Sequence, residues 1–169
     1  MEICYKPIGY IYTPFQSIQG MPIQPTGASG VVGRIDLEPE FAAGLKDLEG
    51  FSHIFLLYHL HLVKKFTLLV QPFLDTEKRG VFATRGPIRP NAIGLSVLKL
   101  TGIEGTTLWV ENVDILSATP VLDIKPYVPE FDIWPTDKIG WFSRKADKAQ
   151  SRRADERFTM YYDPEKYPH

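Results

Sequence analysis

The chain has one cysteine, Cys4, close to its N-terminus. That excludes an intrachain disulfide and a cysteine-built zinc site. A lone thiol suits a reducing cytosol, so we expect a cytoplasmic protein. Long apolar runs are also missing. The longest, Ile54 to Leu62, is broken by His59 and His61 and is too short to cross a bilayer. The N-terminal Met1-Glu2-Ile3-Cys4-Tyr5-Lys6 lacks a basic-then-apolar signal pattern, and we expect no membrane partner. No GxGxxG follows a strand pattern, so a Rossmann dinucleotide site is not indicated. Walker and HExxH sequences are absent as well. Neither sign of charge dominates. The formal net charge is -1, so bulk electrostatics announce no nucleic-acid partner.

What remains is an ordinary globular composition, 44% apolar and 23% charged over 169 residues. Short runs read as strands: Tyr5 to Tyr12, Gly30 to Leu37, Phe51 to Leu62, Phe66 to Phe73, Gly80 to Ala83, Ile93 to Leu100, Thr107 to Val110 and Val121 to Ile124. For Phe51 to Leu62, apolar almost throughout, periodicity leaves a short buried helix open as the alternative. Turn residues such as Gly102 and Gly105 separate some of them. Pro39 to Leu48 reads as a short helix, with Pro39 in its first turn and Gly50 beyond its end. The expected fold is all-β, a small closed or partly open β-barrel with that one helix after the second strand. We expect the barrel over residues 1–130. A C-terminal extension over 131–169, partly helical, should pack on it.

The segment from Gly80 to Ser96 is dense with constraint. Pro87 and Pro90 fix φ and lack an N–H, so the turn is stiff. It presents Arg85, Arg89 and Asn91, and guanidinium forks suit phosphate, carboxylate or a base edge. The alternative is a rigid connector whose arginines pair with surface carboxylates, and the physics alone leaves the two even. The loop from Thr13 to Ser29, rich in Pro, Gln and Gly, is long enough to suggest a role. Asp123 and Lys125 are two apart, so they share a strand face beside Pro126 and Tyr127. That pattern fits a ligand-facing acid and base, or a plain surface ion pair. His53, His59 and His61 share strand parity, yet no cysteine or carboxylate nearby completes a site, and we expect no metal. Basic residues gather from Arg144 to Arg157, and Lys64, Lys65, Lys78 and Arg79 add to them. Such a set can track an RNA backbone in a neutral chain.

Four segments together resemble the TrmO family. They are G-V-F-A-T-R-G-P-I-R-P-N-A-I-G-L-S at Gly80 to Ser96, T-P-V-L-D-I-K-P-Y at Thr119 to Tyr127, F-S-H-I-F-L-L at Phe51 to Leu57, and P-I-G-Y-I-Y-T-P-F at Pro7 to Phe15. The resemblance implies a β-barrel that binds S-adenosylmethionine without a Rossmann domain. It implies a homodimer with the cofactor near the subunit interface. The implied activity is tRNA N6-methylation of the adenosine beside the anticodon, already carrying an N6-threonylcarbamoyl group. The implied partner is the tRNA anticodon stem-loop. By the same resemblance the cofactor positions are Pro22, Ile23, Gln24, His61, Leu62, Arg85, Leu95, Ser117, Ala118, Thr119 and Pro120. The chain departs from the family pattern at Gly86 and Ala92, and at Ser117-Ala118, where the family carries Asp-Gly.

Methyl transfer from a sulfonium needs sulfur, methyl and acceptor nitrogen held in line. A carbamoyl group makes the adenine N–H more acidic, and a fixed cation then stabilises the anion. The catalytic candidates are Arg89 and Lys125 as cations, with Asp123 and Tyr127 to orient the group or relay its proton. The alternatives are a methyltransferase of this fold with another RNA or small-molecule acceptor, and a non-enzymatic cofactor- or RNA-binding barrel.

Overall fold

A computed structural model describes residues 1–144, 146–163 and 165. Strands β1 (Gly9–Tyr12), β2 (Val32–Leu37), β3 (His53–His59), β6 (Ile93–Glu104), β7 (Thr107–Glu111) and β8 (Thr119–Pro126) close into a barrel. Their order is β1-β2-β7-β6-β3-β8, and every neighbouring pair is antiparallel. Two short strands, β4 (Leu69–Val70) and β5 (Arg79–Gly80), pair with each other beside it.

The period-two pattern explains the barrel. Along β3, Ile54, Leu56 and Tyr58 are buried, while His53, Phe55, Leu57 and His59 turn outward. Ile11, Ile35, Leu98, Leu108, Val110 and Val121 complete the inner face, each fully buried. A second apolar core lies outside the barrel. Leu62, Val70, Val81 and Ile88 pack there against Phe158 and Tyr162 from the C-terminal segment.

Several elements differ from the sequence reading. Pro39 starts a seven-residue 3-10 helix, Pro39–Leu45, and not an α-helix. It has no side-chain cap and holds Gly44 in its interior, both unfavourable to a longer helix. The strand expected over Phe66 to Phe73 shrinks to Leu69–Val70. Phe66, Leu68 and Leu69 are exposed, so no buried face demands a longer one. Gly80 pairs in β5, but Val81–Ala83 curls into a 3-10 turn. Gly102, read as a breaker, sits inside β6 at a bulge between Leu100 and Gly102. Gly105, at φ 61, makes the turn into β7. The basic C-terminal stretch forms 3-10 turns, Gly140–Arg144, Ala146–Gln150 and Glu156–Tyr161. Lys145, one of its basic residues, lies outside the described residues. No helix among the described residues is long and apolar enough to cross a membrane.

Ala118 takes φ 60, a left-handed conformation, just before β8. A Cβ there costs about 1–2 kcal/mol, partly offset by the entropy that glycine loses on folding. Ala118→Gly should therefore stabilise the protein by about 0.5–1 kcal/mol, read as a rise of a few degrees in a thermal melt.

Candidate functional site

A cleft of about 400 Å³ opens along the seam between the two cores. That volume suits a small organic ligand. Its lining comes from segments far apart in the chain. The loop before β2 supplies Pro22, Ile23 and Gln24, and the turn after β3 supplies His61 and Leu62. The arginine–proline loop gives Arg85, and β6 gives Leu95 at the rim. Thr119 closes the list of predicted cofactor residues that reach the cleft. Arg85 Nη1 donates to Gln24 Oε1 at 3.3 Å, so two predicted residues meet across it. Ser117, Ala118 and Pro120 do not line it. The Ser117 N–H donates to the Phe15 carbonyl at 2.8 Å, and its hydroxyl accepts from the Thr13 N–H at 3.3 Å. Ser117 thus fastens the loop that carries Thr119.

The arginine–proline loop owes its shape to Arg89 and Ile88. Ile88 is fully buried in the second core. Arg89 lines the cleft, but its Nη1 donates to the carbonyls of Val81, Thr84 and Gly86 at 3.2, 2.9 and 3.4 Å. It clamps the turn from within, which sequence spacing does not reveal.

Asp123, Lys125 and Tyr127 lie outside this cleft in the single chain. Lys125 Nζ pairs with Asp123 Oδ2 at 2.7 Å on the outer wall of the barrel. The Tyr127 ring packs edge-on against Phe55, centroids 5.4 Å apart. The three histidines do not converge either. β3 ends at His59, and the His61 N–H turns back to the His59 carbonyl at 2.8 Å, so His61 faces the cleft instead. Several basic residues proposed for RNA serve the fold. Arg157 pairs with Asp155 at 2.6 Å and stands over the Phe73 ring. That hydrogen bond, more than any other influence, holds the Asp155 carboxyl below its ordinary range. Arg79 pairs with Asp75 and Glu77, each at 2.8 Å, and Lys64 with Asp163 at 3.4 Å.

The sequence reading missed a buried polar chain at the cleft floor. The Tyr58 hydroxyl lies 3.1 Å from Ser96 Oγ, and Ser96 Oγ donates to Asp114 Oδ1 at 2.8 Å. Burial pushes the Asp114 carboxyl from its ordinary 3.8 up to about 6, against the pull of the Ser96 hydrogen bond and the Arg85 charge. Burial, then the Asp114 charge, raise the Tyr58 phenol. Gly94 lines the cleft directly above this chain, paired with Tyr58 across β3 and β6. The one available signal was an acid set between the buried Val113 and Ile115.

A small closed antiparallel barrel, with an apolar cleft that Arg85 and Asp114 both line, defines the class: a non-Rossmann β-barrel. A family model described as "tRNA-methyltransferase O N-terminal domain" matches residues 10–133, and the chain belongs to that family. A Pyrococcus abyssi protein, described as a probable S-adenosyl-L-methionine-binding protein, is 51% identical over 94% of this chain and 86% of its own length. The human tRNA (adenine(37)-N6)-methyltransferase is 39% identical over 75% of this chain but only 30% of its own. The crystal structure of TrmO from Pseudomonas aeruginosa superposes with a TM-score of 0.70 at 39% identity, covering 83% of this chain and 63% of that one. The chain therefore spans under two thirds of that TrmO structure and about a third of the human enzyme.

Proposed function

We propose that the protein is an S-adenosylmethionine-dependent tRNA adenine-N6 methyltransferase. Its substrate on this reading is N6-threonylcarbamoyladenosine beside the anticodon, and it works as a cytoplasmic homodimer. The observation that carries the reading is the convergence of Pro22–Gln24, His61–Leu62, Arg85 and Leu95 on one cleft, in a chain of this family. The donor set fits the cofactor. Arg85 suits the carboxylate of its methionine end, Asp114 suits an ammonium or amino group, and the apolar walls suit the adenosyl part. The cofactor supplies an electrophilic methyl on sulfur. The chain supplies position and charge.

The outer face of β6, β3 and β8 supports the dimer. Leu95 pairs with Leu57, and Leu57 with Asp123, so the three form one row across three strands. Ile93 and Leu95 are exposed on this face at 41% and 59%. A two-fold axis along β3 would lay the partner's β8 over β6. The partner's Lys125, steadied by the partner's Asp123, would then stand beside the cleft mouth. A cation there stabilises the carbamoyl nitrogen as its proton leaves.

The test is methylation of tRNA bearing the threonylcarbamoyl group, with nucleoside mass spectrometry as readout. A gain of one methyl on that nucleoside is expected. Product on unmodified adenosine alone, or none, would sink the substrate. Mixing inactive Arg85→Ala and Lys125→Ala proteins should restore activity if each site draws on two chains. A mixture as inactive as its parts would remove the shared site.

A further inference from the structure

The cleft is finished by chain that lies beyond residue 133, past the matched family domain. Three of this C-terminal segment's contacts fall beside predicted cofactor residues that line the cleft. Trp141 Nε1 donates to the Ala83 carbonyl at 2.7 Å, immediately before Thr84 and Arg85. Further on, the Ala154 N–H donates to the Met21 carbonyl at 2.8 Å, and its own carbonyl accepts from the Gly20 N–H at 2.9 Å. Arg153 bridges Pro22 in the same place. At the third point the Tyr161 carbonyl accepts from the Lys64 N–H at 2.9 Å, and the Asp163 N–H donates to the Leu62 carbonyl at 2.8 Å. The three anchors therefore hold the arginine loop, the Pro22–Gln24 loop and the His61–Leu62 turn. Short 3-10 turns have little stability of their own, so these contacts also define the segment.

Between the anchors the segment presents an aromatic wall. Trp141 and Phe142 stack with centroids 3.9 Å apart and planes 27° from parallel, and both line the cleft. The Arg79 guanidinium carbon lies 6.0 Å from the Trp141 ring, which steadies the pair. Phe158, 4% exposed, packs edge-on against Phe73 behind it, centroids 5.0 Å apart.

We propose that this C-terminal segment is a working part of the cofactor site, with Trp141 and Phe142 packing against the adenosyl group. The inference rests on the cofactor reading given above. A purine offers a flat π face that gains from aromatic packing. The three anchors, one through the Trp141 side chain and two through the backbone, set the segments carrying Arg85, Gln24 and His61 at one spacing, so wall and anchors act together.

Calorimetry with S-adenosylmethionine and S-adenosylhomocysteine tests it in the full chain. Phe142→Ala should weaken both ligands about tenfold or more, the scale of a lost base-stacking contact. Trp141→Phe keeps a ring but loses the bond to Ala83. In that variant the ligand-induced change in tryptophan emission should vanish, although Trp109 and Trp134 remain. If the unsubstituted protein binds neither ligand, the cofactor reading itself fails. If it binds, and both variants keep its affinity and its emission response, only the C-terminal wall is overturned. Should Phe142→Ala fail to fold, the Trp141→Phe emission change decides alone.

Discussion

Gly94→Ala is expected to lower the melting temperature by roughly 6–12 °C, from about 3 kcal/mol of overpacking. A Cβ at position 94 would overlap the ring of Tyr58, 2.7 Å from its Cδ2 and closer still to Cε2 and Cζ. Tyr58 has nowhere easy to go. It is 8% exposed, sits in the barrel core and is tied through its hydroxyl to Ser96. Moving the ring breaks that contact and disturbs the Ser96 bond to Asp114 at the cleft floor. Ligand affinity should fall together with stability, because Gly94, Tyr58 and Asp114 all line the cleft. A double-mutant cycle with Tyr58→Val checks the cause. Removing the ring should recover much of what Gly94→Ala loses, giving a coupling energy of more than about 1 kcal/mol. Additive losses would mean that the clash is not the mechanism.

Gly94 shows how far the sequence reaches. Its motif marked the loop and β6 as a ligand-bearing region, but not the ring that leaves no room for a side chain there. The barrel strands were legible as short apolar runs between turn residues, but in Phe51 to Leu62 the outward Phe55 and Leu57 are apolar too, so that run left strand and buried helix open until the barrel placed it as β3. The stretch from Phe66 to Ala83 misled for another reason. Its apolar residues split between solvent, as Leu68 and Phe82 do, and a second core shared with the distant Phe158 and Tyr162. No local pattern encodes a core whose other half comes from the far end of the chain. Arg89 is a similar case. Its three carbonyl partners follow from a turn geometry that spacing alone does not contain. The expected meeting of Arg85 with Pro22–Gln24 came from family resemblance, and the geometry of the cleft brings those residues together.

Asp114→Asn should separate stability from binding. The Asp114 carboxyl titrates near 6 in the folded protein and near 3.8 when unfolded, so the folded state holds its proton more tightly. Where the folded state binds more protons, stability falls as pH rises. For this group the fall runs from about pH 4 to just above pH 6, and above that range the buried charge is a standing cost. Asparagine keeps an oxygen to accept from Ser96 but carries no charge. The variant should therefore be more stable than the parent at pH 7, by about 1–2 kcal/mol, and the two should converge below about pH 4. Denaturant melts at several pH values measure this directly. Ligand binding should move the other way. A charged acceptor facing a cofactor ammonium or amino group contributes about 1.5–3 kcal/mol, so affinity should drop by roughly tenfold to a hundredfold. A variant that gains stability and loses affinity marks Asp114 as a carboxylate kept for its ligand at the expense of the fold. A variant that loses both would make it a structural acceptor for Ser96, and one that keeps its affinity would take Asp114 out of the site.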